Sequence, residues 1–187
     1  TLLTEAAMIA MNMAPGAQRG FAFEKLRQFD ADAFRRMRED AAAGLRPLAP
    51  GLLTGNDRSA EAVASTRRHL QNLGGDALLA AVTLTQEPLE SLAAPAAAGV
   101  LLSNPPYGER LEEQQTLKAW YPALGAWLKR SLAGWRVAFI TADRAFPGGI
   151  GLKPTRRTPL FNGALDCRLY EFELYAGSRR TDRAPSS

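Results

Sequence analysis

Gly99-Val100-Leu101-Leu102-Ser103-Asn104-Pro105-Pro106-Tyr107-Gly108-Glu109-Arg110-Leu111 decides how this chain is read. An apolar run of strand character ends abruptly in Asn-Pro-Pro-Tyr, which places those four residues on a loop at the end of a buried strand. Two successive prolines fix φ and carry no N–H, so the turn is stiff and its carbonyl oxygens stay available. The Asn104 side-chain oxygen and the Pro105 carbonyl can each accept one N–H of an exocyclic amine, leaving the nitrogen lone pair to face an incoming electrophile. Tyr107 offers a flat surface for the ring that bears the amine. The stretch therefore predicts a pocket for a flat, amine-bearing ring. An ordinary strand-ending turn is the alternative, because Asn-Pro and Pro-Pro are common loop dipeptides.

On either side of this turn, strand and helix signals alternate, which indicates an α/β sheet that is mostly parallel. Leu2 to Met13 reads as a buried helix stopped by Pro15-Gly16. Gly20 to Phe29 is aromatic and loop-like, and Ala31 to Ala43 has the alternating charges of an exposed helix. Leu52 to Gly55 is a short strand ending in Asn56-Asp57-Arg58. Ser59 caps a helix through Leu73 that Gly74-Gly75 ends, and Leu79 to Thr85 is the next strand. After the strand that delivers Asn104, Thr116 to Leu132 is an amphipathic helix with Trp120, Leu124, Trp127 and Leu128 on one side, which Pro122 splits or bends. Arg136 to Thr141 is a strand, and Pro159 to Gly163 with Cys167 to Tyr175 form an antiparallel hairpin.

Composition narrows the class. The chain has 187 residues and is 46% hydrophobic, enough for one domain with a substantial core. Its net charge of +4 is a mild bias towards polyanions such as nucleic acid. A single cysteine excludes an internal disulfide and fits a reducing compartment, and no Cys/His cluster suggests a metal. No apolar run is long enough to span a membrane, so the cytoplasm is the expected location.

Asn104 to Tyr107 resembles the catalytic motif of the S-adenosylmethionine-dependent amino-methyltransferases, which methylate exocyclic amines of adenine, guanine or glutamine. The longer string Ser103 to Leu111 is similar to that of the bacterial large-subunit ribosomal RNA guanine-N2 methyltransferases, relatives of the THUMP-containing RNA methyltransferases. Leu2-Leu3-Thr4-Glu5-Ala6-Ala7 with Ala14-Pro15-Gly16, Gly20-Phe21-Ala22-Phe23-Glu24, and Asn162-Gly163-Ala164-Leu165-Asp166-Cys167 agree with the same family. The resemblance implies a Rossmann-like class I methyltransferase fold over residues 1–177, a mostly parallel sheet with an antiparallel C-terminal hairpin, whereas the tail over 178–187 reads as disordered from its basic, polar and proline-containing composition. The resemblance also implies S-adenosylmethionine as cofactor, ribosomal RNA as partner, and Asn104, Pro105, Pro106 and Tyr107 as the catalytic turn. In that family the first helix follows a glycine-rich loop ending Gly-Ser-Gly-Thr, of which only Thr1 stands here. The resemblance thus implies an N-terminally truncated catalytic domain without its first strand and glycine-rich loop, and an upstream THUMP-like RNA-binding segment in the full-length chain.

The chemistry it implies is direct in-line transfer of methyl to the N2 amine of guanine, with the base unpaired or flipped onto Tyr107. N6-adenine methylation of DNA and an inactive methyltransferase-like RNA-binding module are the two alternatives. Thr1, Asp57, Arg58 and Glu87 are the expected cofactor contacts. An acidic side chain after the strand that follows the glycine loop accepts from ribose hydroxyls, although Asp57 could instead cap the next helix in competition with Ser59. The family's Gln-x-Asp pattern for the cofactor adenine reads Gln86-Glu87-Pro88 here, so either Glu87 substitutes or the contact passes to the backbone. Arg110, Lys153, Arg156 and Arg157 are expected to meet substrate RNA, the last three from a glycine-rich and then basic stretch that could equally be a solvated loop. His69 reads as a partly buried helix residue rather than a base, and Cys167 as a core residue. Glu5 is assigned no chemical role.

Overall fold

The computed structural model describes residues 1–105 and 111–176, without side-chain detail over 111–114. The chain divides into two compact units, Thr1–Pro88 and Leu89–Ser187.

In the first unit, α1 (Leu2–Ala10) stops three residues before the expected Met13. The cause is Asn12, which adopts left-handed backbone (φ 54) while its side-chain amide donates to the Gly44 carbonyl at 3.0 Å. One face of α1 is covered, through Ala7, Leu3 and Ala10, whereas Ile9 is 76% exposed. The helix read as buried is thus buried on one side. A 3-10 turn at Ala22–Lys25 carries Phe21 and Phe23 against Phe34, so the stretch read as loop holds a small aromatic cluster. α2 (Ala31–Ala43) is exposed as expected, with the Asp30 side chain accepting from the Ala33 amide at 2.8 Å.

β1 (Leu53–Asn56) and β2 (Val82–Thr85) pair in parallel, Asn56 opposite Thr85. A methyl group on Gly55 would sit 2.5 Å from Leu3 Cδ2, so a residue with no side chain lets α1 lie on β1. Between the strands, α3 (Ala60–Ala81) breaks at Gly74 and Gly75, the latter with φ 66. The break falls where the sequence puts it, but the chain re-enters helix, and β2 begins at Val82 rather than Leu79. Leu78 and Ala81, one helical turn apart, are both buried, and that packing overrides the strand reading of the apolar run. His69 lies on the exposed side of α3, a correction to its partly buried reading.

The second unit contains β3 (Val100–Ser103), α4 (Leu111–Ser131), β4 (Arg136–Thr141), a single helical turn α5 (Phe146–Gly149), β5 (Arg156–Asn162) and β6 (Leu165–Glu173). Its sheet has the order β3-β4-β6-β5, with β3 parallel to β4 and the other pairs antiparallel. α4 runs through Pro122 as one helix, so the proline neither splits nor ends it. Tyr121, Leu124, Trp127 and Leu128 of α4 pack with Val137, Phe139, Phe146, Tyr170 and Phe172 in the core. The indole N–H groups of Trp127 and Trp135 donate to the carbonyls of Leu92 and Ala96, tying down the alanine- and proline-rich connection before β3. The hairpin strands start earlier than expected, at Arg156 and Leu165, and the turn between them is tight. Gly163 has φ 61 between the paired residues Asn162 and Leu165, a left-handed first position suited to a two-residue turn.

Candidate active site

Ligands of open α/β sheets bind beyond the carboxyl ends of parallel strands, and the two units each present such an edge. In the first, Asp57 and Arg58 follow β1 and are exposed. Asp57 Oδ1 accepts from the Ser59 amide at 2.9 Å, while the Ser59 hydroxyl accepts from the Ala62 amide at 3.3 Å. The capping role weighed for Asp57 therefore falls to Ser59, and Asp57 shapes the turn before the helix with one carboxylate oxygen. Asn56 does work that the sequence did not reveal. Its Oδ1 accepts from the Thr85 hydroxyl at 2.9 Å and from the Glu87 amide at 3.1 Å, and its Nδ2 donates to the Glu87 carbonyl at 3.0 Å. One side chain thereby fixes the loop after β2 against the end of β1, with both backbone polar groups of Glu87 engaged. Glu87 is exposed, so its carboxylate is the polar group that the residue offers outward. Thr1 is exposed at the start of α1, its carbonyl accepting from the Glu5 amide at 3.0 Å.

In the second unit Asn104 and Pro105 leave β3 at its carboxyl end, Asn104 exposed and Pro105 buried. Ser103 is opposite Phe139, so the turn leaves the sheet beside the last two residues of β4, Ile140 and Thr141. Pro106, Tyr107 and Arg110 lie outside the described residues. The loop after β4 is firmly held. The Asp143 amide donates to the Thr141 hydroxyl at 3.1 Å, and Thr141 is 1% exposed. Asp143 Oδ1 accepts from the Ala145 amide at 2.8 Å, and Oδ2 from the Tyr121 hydroxyl at 2.8 Å. Burial, then the hydrogen bond and the charge of Asp143, push the Tyr121 phenol well above its ordinary pKa, so it stays a neutral donor.

The three basic residues expected at the substrate are not gathered beside Asn104. Lys153, Arg156 and Arg157 are exposed on and before β5, the far edge of the sheet. Arg157 is level with Ser103 through Tyr170 and Phe139, three strands away or roughly 14 Å at the usual strand spacing. Arg156 faces Glu171 at 3.6 Å. The same sheet carries a different set of charged residues at its carboxyl end. Arg144, from the loop after β4, pairs with Asp166 Oδ2 at 2.6 Å, and Arg168 of β6 pairs with Asp166 Oδ1. Arg168, then Arg144, hold the Asp166 carboxyl below its ordinary pKa. Cys167, next in the chain, is buried as expected. Among the described residues no His/Cys/Asp/Glu group is arranged to hold a metal ion, and no helix is long and apolar enough to cross a membrane.

The first unit carries an acidic residue after a parallel strand, and the second an Asn-Pro turn after a parallel strand and an antiparallel hairpin in its own sheet, as in the Rossmann-like class I S-adenosylmethionine-dependent methyltransferase fold to which this chain's likeness to solved structures assigns it. Two solved structures are similar to it. A possible methylase from Clostridium difficile 630 has a TM-score of 0.85 at 29% identity, covering 95% of this chain and 46% of its own. SMU.472, a methyltransferase candidate complexed with SAH, has a TM-score of 0.81 at 32% identity, covering 94% and 46%. The chain belongs to the family of the RMKL-like methyltransferase domain, whose model matches residues 1–171. It is 36% identical to the ribosomal RNA large subunit methyltransferase K/L of Shewanella sp. (strain ANA-3) over 190 residues, 97% of this chain and 26% of that protein. The chain thus spans between a quarter and a half of the length of these relatives.

Proposed function

We propose that this protein transfers a methyl group to the exocyclic N2 amine of a guanine in large-subunit ribosomal RNA. The observation that carries the proposal is the placement of Asn104 and Pro105 at the carboxyl end of β3, on a proline-stiffened turn beside the braced loop after β4. Asn104 Oδ1 and the Pro105 carbonyl accept the two amine N–H bonds and hold the nitrogen with its lone pair directed outward. Tyr107 stacks on the ring. S-adenosylmethionine supplies an electrophilic methyl on a sulfonium, and its bound product form in SMU.472 supports the same cofactor here. The residues at the ends of β1 and β2 suit that group. Asp57 is an exposed carboxylate at the end of a parallel strand, the chemistry that a ribose diol requires. Glu87 offers a carboxylate to the adenine amine in place of the family's aspartate, and Thr1 and Arg58 are the two further residues proposed to meet the cofactor. Arg110, Lys153, Arg156 and Arg157 contribute charge towards the RNA backbone. The names of the K/L relatives support RNA over DNA.

The test is to offer protein-free ribosomal RNA and adenine-containing DNA to the complete gene product with labelled S-adenosylmethionine, then to identify the methylated nucleoside by mass spectrometry. N2-methylguanosine is expected, and N6-methyladenine in DNA would overturn the substrate while keeping the chemistry. Asn104→Ala is expected to keep its fold and its affinity for SAH but to lose about a hundredfold or more in turnover, the scale for removing one pre-positioned group at a reacting centre. Unchanged turnover would exclude the pocket.

A further inference from the structure

Phe161 is 75% exposed, although the other aromatic residues of its hairpin, Tyr170 and Phe172, are buried. It lies on β5 opposite Asp166, so the two side chains share a face of the sheet. That face is covered where Tyr170 and Phe172 meet α4 and α5, but along β5 its residues Arg157, Pro159 and Phe161 are all exposed. Asp166 in turn is gripped by two guanidinium groups from different elements, Arg144 and Arg168. The hairpin tip therefore combines an unburied ring with two arginines held in place by one carboxylate, at the end of the sheet where Asn104 emerges. Exposure alone does not set Phe161 apart, but the pairing of a ring with oriented guanidinium groups fits a stacked base with its phosphate.

We propose that Phe161, with Arg144 and Arg168, forms a platform for a nucleotide of the unpaired RNA strand that is not the nucleotide being methylated. The proposal rests on the RNA reading above. The separation follows from the register. Thr158, Leu169 and Ile140 are level across the sheet, so Phe161 stands three residues beyond that level and three strands from the Asn104 turn. At about 3.3 Å per residue and about 4.8 Å per strand, this is more than 14 Å, too far for one base to touch both. Phe161 stacks the flanking base, and Arg144, with its side chain 67% exposed, faces the backbone phosphate beside it. Asp166 keeps the two guanidinium groups apart from each other's charge and fixes their planes.

The experiment compares wild type, Phe161→Ala, Phe161→Tyr and Arg144→Gln as complete gene products. Affinity for an unpaired guanine-containing RNA oligonucleotide, affinity for SAH and methyl transfer are measured. Phe161→Ala is expected to weaken oligonucleotide binding about tenfold or more, the scale of one lost base–aromatic stack. Phe161→Tyr should bind as wild type, and SAH affinity should not change in either variant. The deficit should vanish when the oligonucleotide is shortened to the target nucleotide alone. Arg144→Gln should lower the slope of log affinity against log salt by about one. Equal RNA affinity in Phe161→Ala, a Tyr variant as weak as Ala, or a change confined to the oligomeric state would overturn the platform while leaving the methyltransferase reading intact. Failure of the wild type to act on any RNA would overturn both.

Discussion

Replacing Asn56 with alanine removes three hydrogen bonds at one stroke: two accepted by Oδ1, from the Thr85 hydroxyl and the Glu87 amide, and one donated by Nδ2 to the Glu87 carbonyl. A typical intramolecular hydrogen bond contributes about 0.5–1.5 kcal/mol net, which sets a ceiling of roughly 4 kcal/mol for the set. The two bonds to Glu87 are at the surface, where water replaces a lost partner, and only the bond to Thr85 is partly buried. The expected loss is therefore about 2 kcal/mol, which for a chain of this length lowers Tm by about 4–8 °C. Urea unfolding should show a lower midpoint at constant slope, the sign that stability has changed and not the extent of the unfolded surface. The loop after β2 is then no longer held to β1, so affinity for SAH, measured by calorimetry, should fall with it. Asn56→Asp keeps both acceptor bonds but sets a carboxylate oxygen against the Glu87 carbonyl where the amide donated, so two acceptors repel and this variant should be destabilised as well. A loss below about 0.5 kcal/mol in the alanine variant, or full affinity for SAH, would refute the claim that this side chain organises the end of β2.

Two further substitutions probe the second unit. Gly125→Ala puts a methyl group onto the Ile150 carbonyl oxygen, a backbone atom that cannot swing aside, and α4 must separate from the segment after α5. A loss of about 2–3 kcal/mol in chemical denaturation is expected, against the gain of up to about 1 kcal/mol that alanine normally brings to a helix interior. Tyr121→Phe removes the hydroxyl that donates to Asp143. The folded phenol titrates above its unfolded value, so its contribution is complete below about pH 10 and declines as the unfolded tyrosine begins to ionise. The stability difference between wild type and Tyr121→Phe should therefore shrink as pH rises above 10, and a difference that grows would reverse the assignment.

Elements with local signals were legible. Arg136 to Thr141 is a strand to the residue, Ala31 to Ala43 a helix to the residue, and Ser59 the cap that its type suggests. The misreadings share a cause. Leu79, Ala80 and Ala81 belong to an apolar run whose period does not separate a buried helix end from a buried strand, and the burial of Leu78 with Ala81 decided it. α1 ends at Ala10 because of a bond between Asn12 and Gly44, 32 residues away, which no window of sequence contains. Pro122 leaves α4 continuous, since the packing of Leu124, Trp127 and Leu128 below it holds the helix that the ring weakens.

The site divides along the same line. The strand-end placement of Asn104 could be read directly, and its proposed chemistry is contiguous: a side-chain amide and a carbonyl one residue apart need no fold to bring them together, only a strand to present them. Asn56 could not, because its value lies in three bonds that cross to Thr85 and Glu87, and an asparagine at a strand end usually does no more than turn the chain. Phe161 is the converse case. In sequence it reads as one more apolar strand residue between Leu160 and Asn162, indistinguishable from Phe172, and only register separates them. Phe172 is placed opposite Val137 in the core and Phe161 opposite Asp166 at the open tip. A contiguous motif is thus enough to propose the reacting atoms, while the residues that fix the surrounding loops, and those proposed to meet a polymer, are written in pairings across the sheet.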